Sequence, residues 1–169
     1  MYHGVHEEDK INMIDKTGVS GGGREFYGEL ITSRESTLEL SFPTAHVRTD
    51  IEATCRVHLA GSTGEATKIK VEYGNNSATS TVKPINVSDF YTKAEIDSLT
   101  MFAKPVSSGA QKVKLQFISG PQTANVYLNY VVLNVPCQLT MTGNAMLITN
   151  TSYLGDTPYM RFHLSGATS

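Results

Sequence analysis

The sequence predicts an all-β protein: a jelly-roll-type β-sandwich followed by a short β-rich extension at the C-terminal end. Three observations carry that expectation. Apolar and polar residues alternate in short runs, the two-residue period of a strand with one face in water. Gly, Pro, Asn and Asp separate those runs at short intervals, as they do in antiparallel sandwiches. Ser (15) and Thr (19) together make a fifth of the 169 residues, while strong helix formers are nowhere grouped for long.

Residues 1–23 are polar and end in Ser20-Gly21-Gly22-Gly23, which reads as a flexible lead-in. The run Glu7-Glu8-Asp9, with Asp15, reads as a solvated acidic face, because a calcium loop needs ligands at alternating positions around a central Gly. The Gly triplet lacks the preceding strand and following Lys of a phosphate loop. Residues 26–31 form the first expected strand. In residues 36–42, Leu38, Leu40 and Phe42 share a face, and Pro43 ends the run. In residues 50–60, Ile51, Ala53, Cys55, Val57 and Leu59 oppose Glu52, Thr54, Arg56 and His58.

Residues 67–73 put Ile69, Val71 and Tyr73 inward, and residues 77–82 return after Gly74-Asn75-Asn76, the residue types that accept the positive φ of a tight hairpin. Thr92-Lys93-Ala94-Glu95 matches a helix capping box, with Ile96 and Leu99 three apart, and predicts a helix of one or two turns. Residues 112–117 alternate again. Residues 125–135 differ, being apolar on both faces: Val126, Leu128, Tyr130 and Val132 on one, Tyr127, Val131, Leu133 and Val135 on the other. Such a strand is expected to be covered on both sides. Pro136 marks a boundary, beyond which residues 138–141, 145–149 and 159–164 read as three short strands. The expected organisation is a lead-in at 1–23, a sandwich at 24–135 and an extension at 136–169.

The 14 Lys+Arg against 16 Asp+Glu leave no excess charge for a phosphate backbone, so nucleic acid is excluded as a generic partner. No cofactor, catalytic or metal site is expected. Cys55 lies mid-strand on an apolar face, and His58, three residues on, points to the opposite face. Cys137 follows Pro136 with no basic neighbour in sequence to activate it. A Cys55–Cys137 disulfide stays open, since spacing in sequence does not give separation in space. His3 and His6 fall in the lead-in, where only adventitious metal binding is expected, and His46 and His163 stand apart. With no Trp present, a sugar platform would need Tyr2, Tyr73, Tyr91, Tyr127, Tyr130, Tyr153 or Tyr159, of which the strand tyrosines 73, 127 and 130 are better explained by packing.

Three segments resemble one family. Gly22-Gly23-Arg24-Glu25-Phe26-Tyr27-Gly28-Glu29 resembles the opening ahead of the peptidase domain in the PorU family, gingipain-like cysteine peptidases that act as sortases of the type IX secretion system in Bacteroidetes. Residues 126–134, Val-Tyr-Leu-Asn-Tyr-Val-Val-Leu-Asn, resemble that family's later strand, and residues 159–169 resemble the strand that precedes its next segment. Their order and spacing match over nearly the whole chain. The resemblance implies a non-catalytic N-terminal piece of an enzyme that removes C-terminal signal domains from secreted cargo. The catalytic His and Cys belong to a downstream peptidase domain, so neither cysteine here corresponds to the dyad. It also implies an extracytoplasmic location peripheral to the outer membrane. The partners would be that peptidase domain, secretion components and cargo. A weak homodimer is expected of the isolated chain, through Met160, Phe162 and Leu164 or an open edge. The alternative class is a carbohydrate-binding module of a secreted enzyme, since sandwiches host both roles.

Overall fold

The computed structural model describes residues 1–8, 11–12, 26–86, 88–89 and 94–141. Eleven strands occur among them: β1 (Tyr2–Glu7), β2 (Ile11–Asn12), β3 (Phe26–Tyr27), β4 (Leu30–Ile31), β5 (Thr37–Phe42), β6 (Ala53–Ser62), β7 (Thr67–Tyr73), β8 (Asn76–Val82), β9 (Glu95–Ala103), β10 (Gln111–Ser119) and β11 (Asn125–Val135). They build two antiparallel sheets that face each other. One has the order β1-β11-β6-β9, with β4 also on β11; the other has the order β5-β10-β7-β8; β2 and β3 pair separately. The expected all-β sandwich is the fold.

The core follows from the alternation. Cys55, Val57, Leu59, Val131 and Leu133 face Leu40, Ile69, Val71, Val113 and Leu115 in one dry cluster. Each large aliphatic side chain removed from water here contributes roughly 1.5–3 kcal/mol. Two polar groups enter the core with partners. The Tyr73 hydroxyl donates to Gln111 Oε1 at 3.2 Å, and Gln111 Nε2 donates to the carbonyls of Ser107 and Gly109 at 2.9 and 2.7 Å. The β7–β8 hairpin turns at Gly74, whose φ of 58° favours glycine. Along one margin the sheets are tied by side chains: Ser80 of β8 donates to Asp97 of β9, and Asn76 Nδ2 donates to the Phe102 carbonyl at 2.9 Å.

β11 resolves the doubly apolar reading of residues 125–135. The register against β6 shifts between Leu128 and Tyr130, so Asn129 is the extra residue of a bulge. The bulge reverses the phase of the alternation. Val126 and Leu128 before it, and Val131, Leu133 and Val135 after it, all become buried on the core side. Tyr127, Tyr130, Val132 and Asn134 are left half-buried on the outer side. The two apolar sets read as opposite faces are therefore mostly one face.

Three expectations are corrected. Residues 2–7, placed in the flexible lead-in, form strand β1, paired antiparallel with β11 from Tyr2↔Val135 to Glu7↔Tyr130. Its inward positions are Tyr2, Gly4 and His6, which make no apolar stripe for a sequence reading to find. Gly4 is required there, since a Cβ would lie 2.6 Å from the Tyr2 ring and 2.8 Å from that of Phe42. The helix expected from the capping box is absent where described: Glu95–Ala103 is strand β9, in register with β6 from Gly61↔Glu95 to Ala53↔Ala103. The free edge of β6 offers a full ladder, which outweighs a short local helix signal. Residues 138–141 form no named strand; Cys137 instead makes an isolated antiparallel bridge to Val47. The strands expected at 145–149 and 159–164 lie outside the described residues.

Residues 26–31 divide into β3 and β4 around Gly28-Glu29. The Gly28 amide donates to the Leu128 carbonyl, and the Leu128 amide donates to the Glu29 carbonyl, both at 2.8 Å. The split strand thus docks on β11 beside the bulge.

Candidate functional site

An open cleft of about 580 Å³ lies at the end of the sandwich where β5 ends and β11 leaves. Met1, Tyr2, Pro43, His46, Ala110 and Cys137 are among its lining residues. Its floor is made by local geometry. His46 sits in the left-handed region at φ 56°, which His tolerates better than most residues. That turn aims Val47 back at Cys137, while the Gln138 amide donates to the His46 carbonyl and the Arg48 amide to the Pro136 carbonyl, both at 2.8 Å.

A cysteine and a histidine thus share this cleft, a proximity that sequence spacing did not reveal. The thiol is not activated. Burial pushes the Cys137 pKa above its ordinary value, and Cys137 Sγ donates toward the Val135 carbonyl at 3.5 Å. Cys55 is further removed from chemistry: it is fully buried, and burial pushes its pKa up to about 12. A nucleophilic thiol requires the opposite shift. Both cysteines are free thiols. Tyr73 is likewise raised, by burial first and then by the charges that Cys55 and Cys137 would carry.

His58 lies on the outer face of β6, away from Cys55 as the alternation predicted. Its ring stacks on Tyr130 with centroids 5.0 Å apart and planes 5° apart, and its Nδ1 lies 3.1 Å from Asn129 Nδ2 at the bulge. Tyr127 packs against Tyr27 at 6.4 Å with a 52° tilt. Tyr73 is core, and Tyr2 lines the cleft. Tyr91, Tyr153 and Tyr159 lie outside the described residues.

A third cluster was read differently from sequence. His6 of β1, Glu8 just after it and Glu29 between β3 and β4 bring one nitrogen and two carboxylate oxygens within 4.8 Å of one another. His6 Nε2 is 2.8 Å from Glu29 Oε1, and Glu29 Oε2 is buried without a hydrogen bond. Glu7 is exposed, as expected of a solvated acidic face, but Glu8 turns toward the protein. Strand alternation would have separated His6 from His3, had β1 been recognised as a strand.

These features define a two-sheet antiparallel sandwich whose two cysteine thiols are both raised by burial. No family profile matches the chain, and no curated protein matches it. Among solved structures, dimeric latent PorU from Porphyromonas gingivalis is similar over 90% of this chain, with a TM-score of 0.69 and 16% identity. The chain spans 14% of that protein's length. The CBM36-1 domain of a multidomain xylanase from the hindgut metagenome of Trinervitermes trinervoides is similar over 79% of this chain and 97% of that domain, at a TM-score of 0.49 and 8% identity. A CBM36 carbohydrate-binding module solved with calcium and xylotriose follows at 0.47 and 14%, over 78% and 99%. At such identities the likeness is one of fold.

Proposed function

We propose that this chain is a non-catalytic sandwich domain of a PorU-like sortase of the type IX secretion system, positioned ahead of the peptidase domain. The similarity to PorU over nine-tenths of the chain carries this reading. A second observation supports it. The first two segments that resemble the family, at 22–29 and 126–134, lie about a hundred residues apart in sequence, yet Gly28 and Glu29 of the first are hydrogen-bonded to Leu128 of the second. Described residues of these two segments thus meet in the fold. In this role the domain supports the peptidase domain or contacts cargo and secretion components at the cell surface, and it cleaves nothing itself. The raised thiols agree with that.

Two measurements test the proposal. Deleting residues 26–135 from the full-length gene product is expected to stop removal of C-terminal signal domains from cargo in the host, while the isolated chain hydrolyses no peptide. Hydrolysis by the isolated chain that disappears in Cys55→Ala or Cys137→Ala would overturn it, as would a reading frame that stops at Ser169. The competing carbohydrate-binding reading rests on the stacked His58–Tyr130 pair on an outer face. It predicts saturable binding in a glycan panel that Tyr130→Ala removes; the sortase reading predicts none.

A further inference from the structure

We propose that His6, Glu8 and Glu29 form a binding site for one divalent transition-metal ion of the zinc class, which clasps the N-terminal strand to the sandwich. Their ligand atoms lie within 4.8 Å of one another, and all three residues are half-buried. A divalent cation held by the three side chains gives the buried Glu29 Oε2, which accepts no hydrogen bond, a partner.

The backbone holds the cluster together. β1 turns His6 inward, while His3 faces the other way and meets Asn134 Oδ1 through its Nδ1 at 2.6 Å. Glu29 is fixed by its carbonyl's hydrogen bond from the Leu128 amide. Gly28 lets the chain at Glu8 come close, because a Cβ there would stand 2.7 Å from the Glu8 carbonyl oxygen. With metal–ligand bonds of about 2.0–2.2 Å, a tetrahedral ion needs ligand atoms roughly 3.4 Å apart. That asks His6 and Glu29 to open slightly and Glu8 to swing in.

Ligand chemistry selects the ion. Calcium and magnesium favour all-oxygen shells, whereas an imidazole with carboxylates suits zinc, cobalt or nickel. The three side chains leave a fourth position for water. His6 and Glu8 belong to the N-terminal segment, and Glu29 to the link between β3 and β4, so the ion joins separate parts of the chain.

Calorimetric titration of the native chain with ZnCl2, CaCl2 and MgCl2 tests the proposal. The expected result is one zinc ion per chain, bound at least tenfold more tightly than calcium or magnesium. Loss of outer-shell partners at zinc sites commonly costs about 10–100-fold in affinity. Replacing a ligand, in His6→Asn or Glu29→Gln, should therefore weaken binding tenfold or more, and His3→Asn should leave it unchanged. No saturable one-to-one zinc binding, or Glu29→Gln binding zinc as tightly as the native chain, would overturn the site. Because a variant could loosen β1, location is read separately on the native chain by NMR with Co2+. Paramagnetic shifts largest at His6, Glu8, Gly28 and Glu29 support the proposal. Shifts centred on His3, or on the His46–Cys137 cleft, overturn it.

Discussion

The centre of the β1-β11-β6-β9 sheet and its two edges are built on different principles. At the centre, β6 and β11 spend their inward positions on Cys55, Val57, Leu59, Val131 and Leu133, all essentially without exposure. At the edges the inward positions carry Tyr2, Gly4 and His6 on β1 and Asp97, Leu99, Met101 and Ala103 on β9, while Ile96 and Phe102 point outward and stay exposed. A central strand is held by burial. An edge strand has less burial and adds to it one ladder and a few specific polar ties, such as Ser80 to Asp97 and His6 to Glu29. Specific ties can hold a strand whose sequence carries no apolar stripe.

That difference governs what was legible. Strands β5, β6, β7, β8, β10 and β11 followed from alternation within a few residues at their ends, because burial imposes a two-residue period. Both edges were misread, each for its own reason. β1 has a glycine and a histidine where an apolar stripe was sought, and β9 carries large apolar residues on its solvent face. The Asn129 bulge was invisible because nothing in a sequence marks a change of phase except its consequence, apolar residues in both registers. The His6–Glu8–Glu29 cluster required β1 to be known first, so it failed with it. The inward placement of Cys55 followed from the alternation, whereas the meeting of Cys137 with His46 did not, because it depends on the left-handed turn at His46.

The contrast makes graded predictions. Leu133→Ala, at the centre, empties a fully buried site and should cost about 2–5 kcal/mol in urea unfolding followed by far-UV circular dichroism. A cost under about 1 kcal/mol would mean that the core at β11 is loosely packed.

Alkaline pH should probe the same centre. Cys55 titrates near its ordinary thiol value when unfolded but is pushed up to about 12 when folded. The unfolded chain therefore loses its proton first. Stability should be intact below pH about 9 and fall by up to roughly 1.4 kcal/mol per pH unit as pH rises toward 12. Tyr73, Tyr127 and Cys137 are raised by burial and act in the same sense. Between pH 9 and 10 the slope should be shallower in Cys55→Ala; an unchanged slope would show that Cys55 ionises freely in the folded protein.

Ser80→Ala tests a tie at the margin. It removes the hydroxyl that donates to Asp97 and leaves that carboxylate half-buried without this donor. The expected loss is about 1–2 kcal/mol, measured by the same unfolding experiment. Ser80→Ala combined with Asp97→Ala should recover part of it, since removing both partners avoids the unsatisfied group. If the double variant is as unstable as the sum of the singles, the bond is not the source of the cost.

The smallest effect is expected where an uninformed reading of the composition would place a large one. Phe102 is a phenylalanine in a β-strand, and truncating a buried one costs about 3–5 kcal/mol. Here the residue is 57% exposed on the outer face of β9, and its neighbours on β6 on that face are polar, beginning with Thr54. The contribution that Phe102 makes to the margin is its carbonyl, which accepts from Asn76 Nδ2 and survives any side-chain change. What remains to lose is strand preference, which spans about 1 kcal/mol across residue types. Phe102→Ala should therefore shift stability by less than about 1 kcal/mol in the same denaturation assay. A loss of several kcal/mol would mean that the ring is covered in solution. The outer face of this sheet would then be a second packed surface, and the division between a buried centre and tied edges would no longer hold.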